Sequence, residues 1–157
     1  MLGRSDAGLQ DLKRALELNP NDSAVMGYLG YWESLCGNAG VGLARTIAAL
    51  RLSPSDPQRY LLLSQIGWCH CILGDYETAV QVGSQSAGDA PWFPGTWVCL
   101  AVSHAAMGRW AEARTAAQTV GRLAPDLLQR RLDGRWIGTD AGVHQRFTEL
   151  LRKAMTG

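Results

Sequence analysis

Two columns of punctuation residues keep one register along this chain. Gly3, Gly37, Gly74 and Gly108 are separated by 34, 37 and 34 residues, and Pro20, Pro54, Pro91 and Pro125 by the same three intervals, so each glycine precedes its proline by 17 residues. The sequence has only six prolines, and two unrelated residue types sharing even a three-residue insertion define a repeat. Each interval between punctuation marks has the length of one helix. The unit is therefore a pair of antiparallel helices, with glycine at one reversal to supply a left-handed backbone and proline at the other to stop the second helix. The predicted helices cover 5–18, 23–36, 39–52, 57–73, 76–88, 94–107 and 110–123. The three extra residues fall near Asp56 to Arg59, where they lengthen either a helix front or its leading loop.

Aligned on the turn glycine, a large apolar column reads Met26, Leu63, Trp97, the next reads Leu29, Ile66, Leu100, and a small column reads Gly30, Gly67, Ala101. The second helices carry Gly42, Ala79, Ala113 and then Ala49, Ser86, Val120. Small residues let paired helices approach, and the large ones fill the seam. Over residues 1 to about 125 the chain resembles the tetratricopeptide repeat family, with the best match in Trp97, Leu100, Ala101, Gly108, Ala113, Ala117 and Pro125; Gly83 departs from it, standing where a bulky residue is usual. The resemblance implies an all-α, right-handed superhelical solenoid of about three and a half repeats. The units run 1–20 (a half repeat), 21–54, 55–91 and 92–125, followed by capping helices over 126–157.

Beyond Pro125 the period stops. A short helix over 126–132, a loop over 133–139 and a last helix capped by Asp140 are expected, with Val143, Phe147, Leu150, Leu151 and Ala154 on one apolar face. The half repeat at the start is expected to leave an apolar seam for an upstream segment or a second copy. A finer resemblance rests on Leu16-Glu-Leu-Asn-Pro-Asn-Asp, on Leu52-Ser-Pro-Ser-Asp-Pro and on Phe147-Thr-Glu-Leu-Leu-Arg-Lys-Ala. These runs are similar to the C-terminal repeat region of bacterial class III adenylate cyclases. That similarity implies a regulatory or assembly module of a signalling protein, with any cyclase residues upstream of this chain. Similar repeats also follow winged-helix domains in transcriptional regulators.

The charge is +1, from 15 basic and 14 acidic residues without long runs of one sign, so neither nucleic acid nor a membrane surface is indicated as partner. No bilayer-spanning run or leader is visible, and four unevenly spaced cysteines suit a reducing, cytoplasmic setting. Cys69-His70-Cys71 invites a metal, but residues two apart on a helix point about 200° apart, so no shared ion is expected. Glu33, His70 and His104 form a titratable column four residues before each turn glycine. Neighbouring helices lie about 8–10 Å apart, too far for direct joint coordination, and interior hydrogen bonding is the expected role. No cofactor, metal or catalytic residue is expected.

In this family the first helices line the concave side, which here would carry no Lys, Arg or Asn with which to clamp a terminal carboxylate. The resemblance then places a partner groove at Tyr28, Tyr31, Leu35, Gln65, Trp68, Ile72, Val98 and Val102, suited to an apolar or amphipathic segment of another protein. The alternatives are a homodimer and a groove filled by the chain's own terminal helix.

Overall fold

The computed structural model describes residues 2–157, with the side chains of residues 7–157. Its helices are α1 (Leu2–Leu18), α2 (Ser23–Leu35), α3 (Ala39–Leu52), α4 (Arg59–Leu73), α5 (Tyr76–Asp89), α6 (Pro94–Ala106), α7 (Trp110–Leu123), α8 (Pro125–Leu132) and α9 (Ala141–Thr156), with no strand among the described residues. Three hairpins, α2 with α3, α4 with α5 and α6 with α7, stack in order after α1. The inner helix α4 touches both α2 and α6, whereas the outer helices chiefly touch inner ones, so the stack curves with α2, α4 and α6 on its hollow side.

The reversals follow from the punctuation residues. Gly37, Gly74 and Gly108 hold φ of +95°, +85° and +72°, the left-handed region open to glycine. Gly3 does not do this: it lies inside α1, which starts at Leu2 rather than at residue 5. Asp22 begins α2 by accepting a hydrogen bond from the Val25 N–H at 3.0 Å. The insertion divides between two places. The loop over 53–58 is two residues longer than those over 19–22 and 90–93, and α4 starts one residue earlier relative to its turn glycine than α2 and α6 do. Here α4 begins at Arg59 rather than 57, because Asp56 first closes a turn, its carboxylate accepting from the Gln58 N–H at 2.7 Å and its carbonyl from the Arg59 N–H at 2.9 Å.

The small columns set helix spacing. A Cβ on Gly30 would lie 2.6 Å from both the Gly42 carbonyl oxygen and Thr46 Oγ1, so α2 and α3 meet backbone to backbone. Ala79, Ala113, Ala49, Ser86 and Val120 are all buried, as are Leu29, Ile66 and Leu100. Leu100 reaches over Gly83, where a Cβ would stand 3.0 Å from its methyl group, and so fills the space left by the missing bulky residue. The C-terminal segment closes the far end: Phe147, Leu151 and Ala154 of α9 are buried, and α9 lies against α6 and α7.

Candidate functional site

The hollow side is half covered by the chain itself. After α8, residues 133–140 turn back across α2 and α4, and α9 then lies on α6. Two helix ends guide this path, since the last carbonyls of a helix have no partner within it. The Thr139 N–H donates to the Leu35 carbonyl at the end of α2 at 3.1 Å, and the Arg146 guanidinium donates to the Ile72 carbonyl near the end of α4 at 3.4 Å. Gly138 makes the first contact possible. Its φ is +106°, and a Cβ there would stand 2.5 Å from the Leu35 oxygen. Between these two contacts Trp136 and Phe147 pack on Trp68, with ring centroids 6.1 and 5.8 Å away, and on each other at 5.5 Å. The Trp136 N–H donates to Thr148 Oγ1 at 2.8 Å, so the indole's polar edge has a partner.

This segment divides the groove residues read from the sequence into two groups. Val98 and Val102, expected to wall an open groove, are 1% and 0% exposed and belong to one core cluster with Leu128, Phe147 and Leu151. Leu35 and Ile72 lie under the returning segment, around a pocket of about 430 Å³, measured to its open mouth, that Trp136, Ile137 and Phe147 roof. Burial pushes the Tyr31 phenol well above its ordinary value of 10.0, with the Arg131 guanidinium opposing that shift. Arg131 itself stacks over Trp136 at 5.1 Å.

Of the other group only Tyr28 stays exposed, Tyr31 being half-buried and Gln65 and Trp68 buried. Tyr28 is 47% exposed, and with Tyr31, Leu61, Gln65, Trp68 and Phe93 it borders a cleft of about 500 Å³. The Trp68 indole N–H donates to the Gly95 carbonyl at 3.2 Å, fixing the ring as the cleft's far wall. Phe93, from the loop before α6, was not read from the sequence as part of the groove. Neither was Trp136, although a tryptophan in a Gly- and Asp-rich loop is a signal that the loop packs on something.

Two members of the titratable column have the interior hydrogen bonds expected of them. Glu33 takes both hydrogen bonds of a forked pair from Arg45, at 2.8 and 3.1 Å, and His70 Nδ1 lies 3.1 Å from Asp75. Each group is thus satisfied within its own hairpin. His104 is the exception, since its buried Nδ1 has no partner and burial lowers its pKa. Cys69 and Cys71 face different neighbours: Cys69 Sγ is 2.9 Å from Ser34 Oγ, whereas the Cys71 thiol lies beside the Cys99 thiol, both of them free. Burial raises the Cys69 thiol above its ordinary pKa, a direction that suppresses the reactive thiolate. Among the described residues no three His, Cys, Asp or Glu side chains converge as a metal site.

The same path of helices occurs in solved structures. The chain superposes on the crystal structure of MamA with a TM-score of 0.64, covering 98% of this chain and 88% of that one at 15% identity. On PilW, a widely conserved type IV pilus biogenesis factor, the TM-score is 0.70, with 99% and 67% covered at 19% identity. The fold is a tetratricopeptide-type helical solenoid. At these identities the likeness is one of fold. No protein-family model and no curated protein matches the chain.

Proposed function

We propose that this chain is a non-catalytic interaction scaffold whose concave side receives an apolar segment of another protein at Tyr28, Tyr31, Gln65 and Trp68. One observation carries this reading: the own C-terminal segment covers the groove from Leu35 to Val102 but stops short of Tyr28, which remains 47% exposed beside an aromatic-walled cleft. Aromatic walls supply contact area at low entropic cost, and such patches in soluble proteins usually face a partner. Selection of displayed random peptides against the full chain tests it. Binders that lose most of their affinity on Tyr28→Ala support it, and a complete lack of Tyr28-dependent binders overturns it.

A second reading is favoured by the returning segment: the same groove serves intramolecular regulation, with residues 133–157 as the resident occupant. On that reading Trp136→Ala raises the affinity of peptides selected on the parent chain, and unchanged affinity counts against it. Homodimerisation through the first half repeat is a further form of self-association, which a monomer mass in solution at every concentration tested would exclude; exposed Leu18 at the end of α1 supports it.

The resemblance to the C-terminal repeats of class III adenylate cyclases supports placing the scaffold in the regulatory part of a bacterial signalling protein, with the winged-helix regulators as the other setting. The coding sequence upstream decides between them. Four free cysteines support a cytoplasmic location. No helix among the described residues is long and apolar enough to cross a membrane.

A further inference from the structure

Under the returning segment the polar groups do not balance. The pocket of about 430 Å³ that this segment roofs has apolar walls in Trp68, Trp136 and Phe147. Most polar side chains around it are engaged elsewhere. The Trp68 and Trp136 N–H groups donate to the Gly95 carbonyl and to Thr148 Oγ1, Ser34 Oγ donates to the Gly30 carbonyl at 3.0 Å, and His144 Nε2 lies 3.1 Å from the Ile137 carbonyl. Two donors are left over. Half-buried Arg131 spends Nη1 on the Arg135 carbonyl and lays its face on Trp136, but it forms no ion pair, and its Nε–Nη2 edge meets no acceptor among the described residues. The hydroxyl of half-buried Tyr31, on the same pocket, likewise bonds to none of them. A cation drawn partly out of water without a counter-charge is unfavourable, and so is a phenol without an acceptor.

We infer that this pocket binds a small organic monocarboxylate, with its carboxylate on the Arg131 edge and the Tyr31 hydroxyl and its aromatic or branched apolar body among Trp68, Trp136 and Phe147. Geometry, charge and size each support it. The edge of a guanidinium presents two parallel N–H groups that match the two oxygens of a carboxylate, and a neutral acceptor in their place would leave the cation uncompensated. Asp140, at the exposed rim, is the one acidic side chain lining the pocket; its Oδ1 accepts from the Val143 N–H at 3.1 Å, and it forms no ion pair. Its charge opposes a dianion such as phosphate and leaves room for one negative charge at Arg131. Size agrees. Drug-sized molecules take pockets of about 300–1,000 Å³ and an apolar cavity of about 150 Å³ holds benzene, so a pocket of this volume, counted to its mouth, suits about ten non-hydrogen atoms. Such a ligand touches Tyr31 of α2, Trp68 of α4, Arg131 of α8 and Trp136 of the returning segment together, and therefore fastens that segment to the repeats. Peptide docking at Tyr28 is not required for it.

Titration calorimetry of the full chain with benzoate and phenylacetate, beside benzamide and benzylamine as neutral and cationic counterparts, gives the test. At least one carboxylate is expected to bind with a Kd on the order of 0.1–1 mM, the amide about tenfold more weakly and the amine not at all. Tryptophan emission should change on binding, since two indoles wall the site. Arg131→Met lowers carboxylate affinity about tenfold and brings it level with that of the amide, whereas Arg131→Lys keeps the preference for the carboxylate. Tyr31→Phe lowers it about threefold to tenfold, and it carries the test if the far-UV spectrum shows that Arg131→Met has not folded. Benzamide bound as tightly as benzoate, a carboxylate affinity indifferent to these substitutions, or no carboxylate binding up to about 10 mM would overturn the inference and leave Tyr28-dependent docking standing. A lack of Tyr28-dependent peptides would remove that docking and leave the carboxylate site standing.

Discussion

Gly30 and Gly67 occupy the same column, yet their surroundings give them opposite roles. At Gly30 a methyl group would press on the Gly42 carbonyl and Thr46, both fixed in α3. Gly30→Ala is therefore expected to cost about 1–3 kcal/mol, overpacking outweighing the gain in helix propensity. At Gly67 the nearest atom to a new Cβ is the Ala79 oxygen at 3.5 Å, an ordinary contact. Gly67→Ala should be neutral or stabilise by up to about 1 kcal/mol. Urea midpoints of the two variants read the difference directly. His104 sets a pH dependence. Burial lowers its pKa from 6.5, so the folded chain binds fewer protons there than the unfolded one; its contribution is complete above that value and declines as pH falls below it. Melting temperature should fall between about pH 7 and pH 5 in the parent, and less so in His104→Phe. Asp75, whose carboxylate is held below its ordinary 3.8 first by its hydrogen bond with Thr78, loses its contribution only at more acid pH.

Helices of the repeat were legible because each has a stop that acts locally: a glycine free to take positive φ or a proline without an N–H. The starts and ends of α3 and α7 agree with the expected 39–52 and 110–123. Gly3 shows the limit of that signal, since glycine tolerates a helical conformation too and spacing alone does not choose between them. The covering of the groove was less legible. The face Val143, Phe147, Leu150, Leu151 and Ala154 predicted α9 as a packed helix, but its docking place depends on a carbonyl left over at the end of α2 and on the shape of Gly138. Such partners lie about a hundred residues apart in sequence and leave no periodic trace. Val98 and Val102 were misplaced for this reason. Phe147→Ala should cost about 3–5 kcal/mol by emptying the site between Trp68 and Trp136, and should red-shift tryptophan emission as those rings meet water. An unshifted spectrum would show that the segment is held chiefly by other contacts.

On the scale of the molecule, a solenoid is held together by neighbours: each hairpin touches the next, and openings at one end need not reach the other. This chain adds contacts that skip repeats, from residues 139 and 146 to the ends of α2 and α4, and from α9 to α6 and α7. Hydrogen exchange on Phe147→Ala is expected to show lost protection in α2 as well as in α6, although those helices do not touch as neighbours. Loss confined to α6 and α7 would mean that the repeats unfold independently. Stacked helical pairs ordinarily behave as a soft spring whose pitch changes when the coil is pulled or filled. Here the returning strand is tied to successive coils at fixed intervals, as a cord laced through a spring holds its gaps, so the spacing between Tyr28 and Phe93 is set before anything enters it.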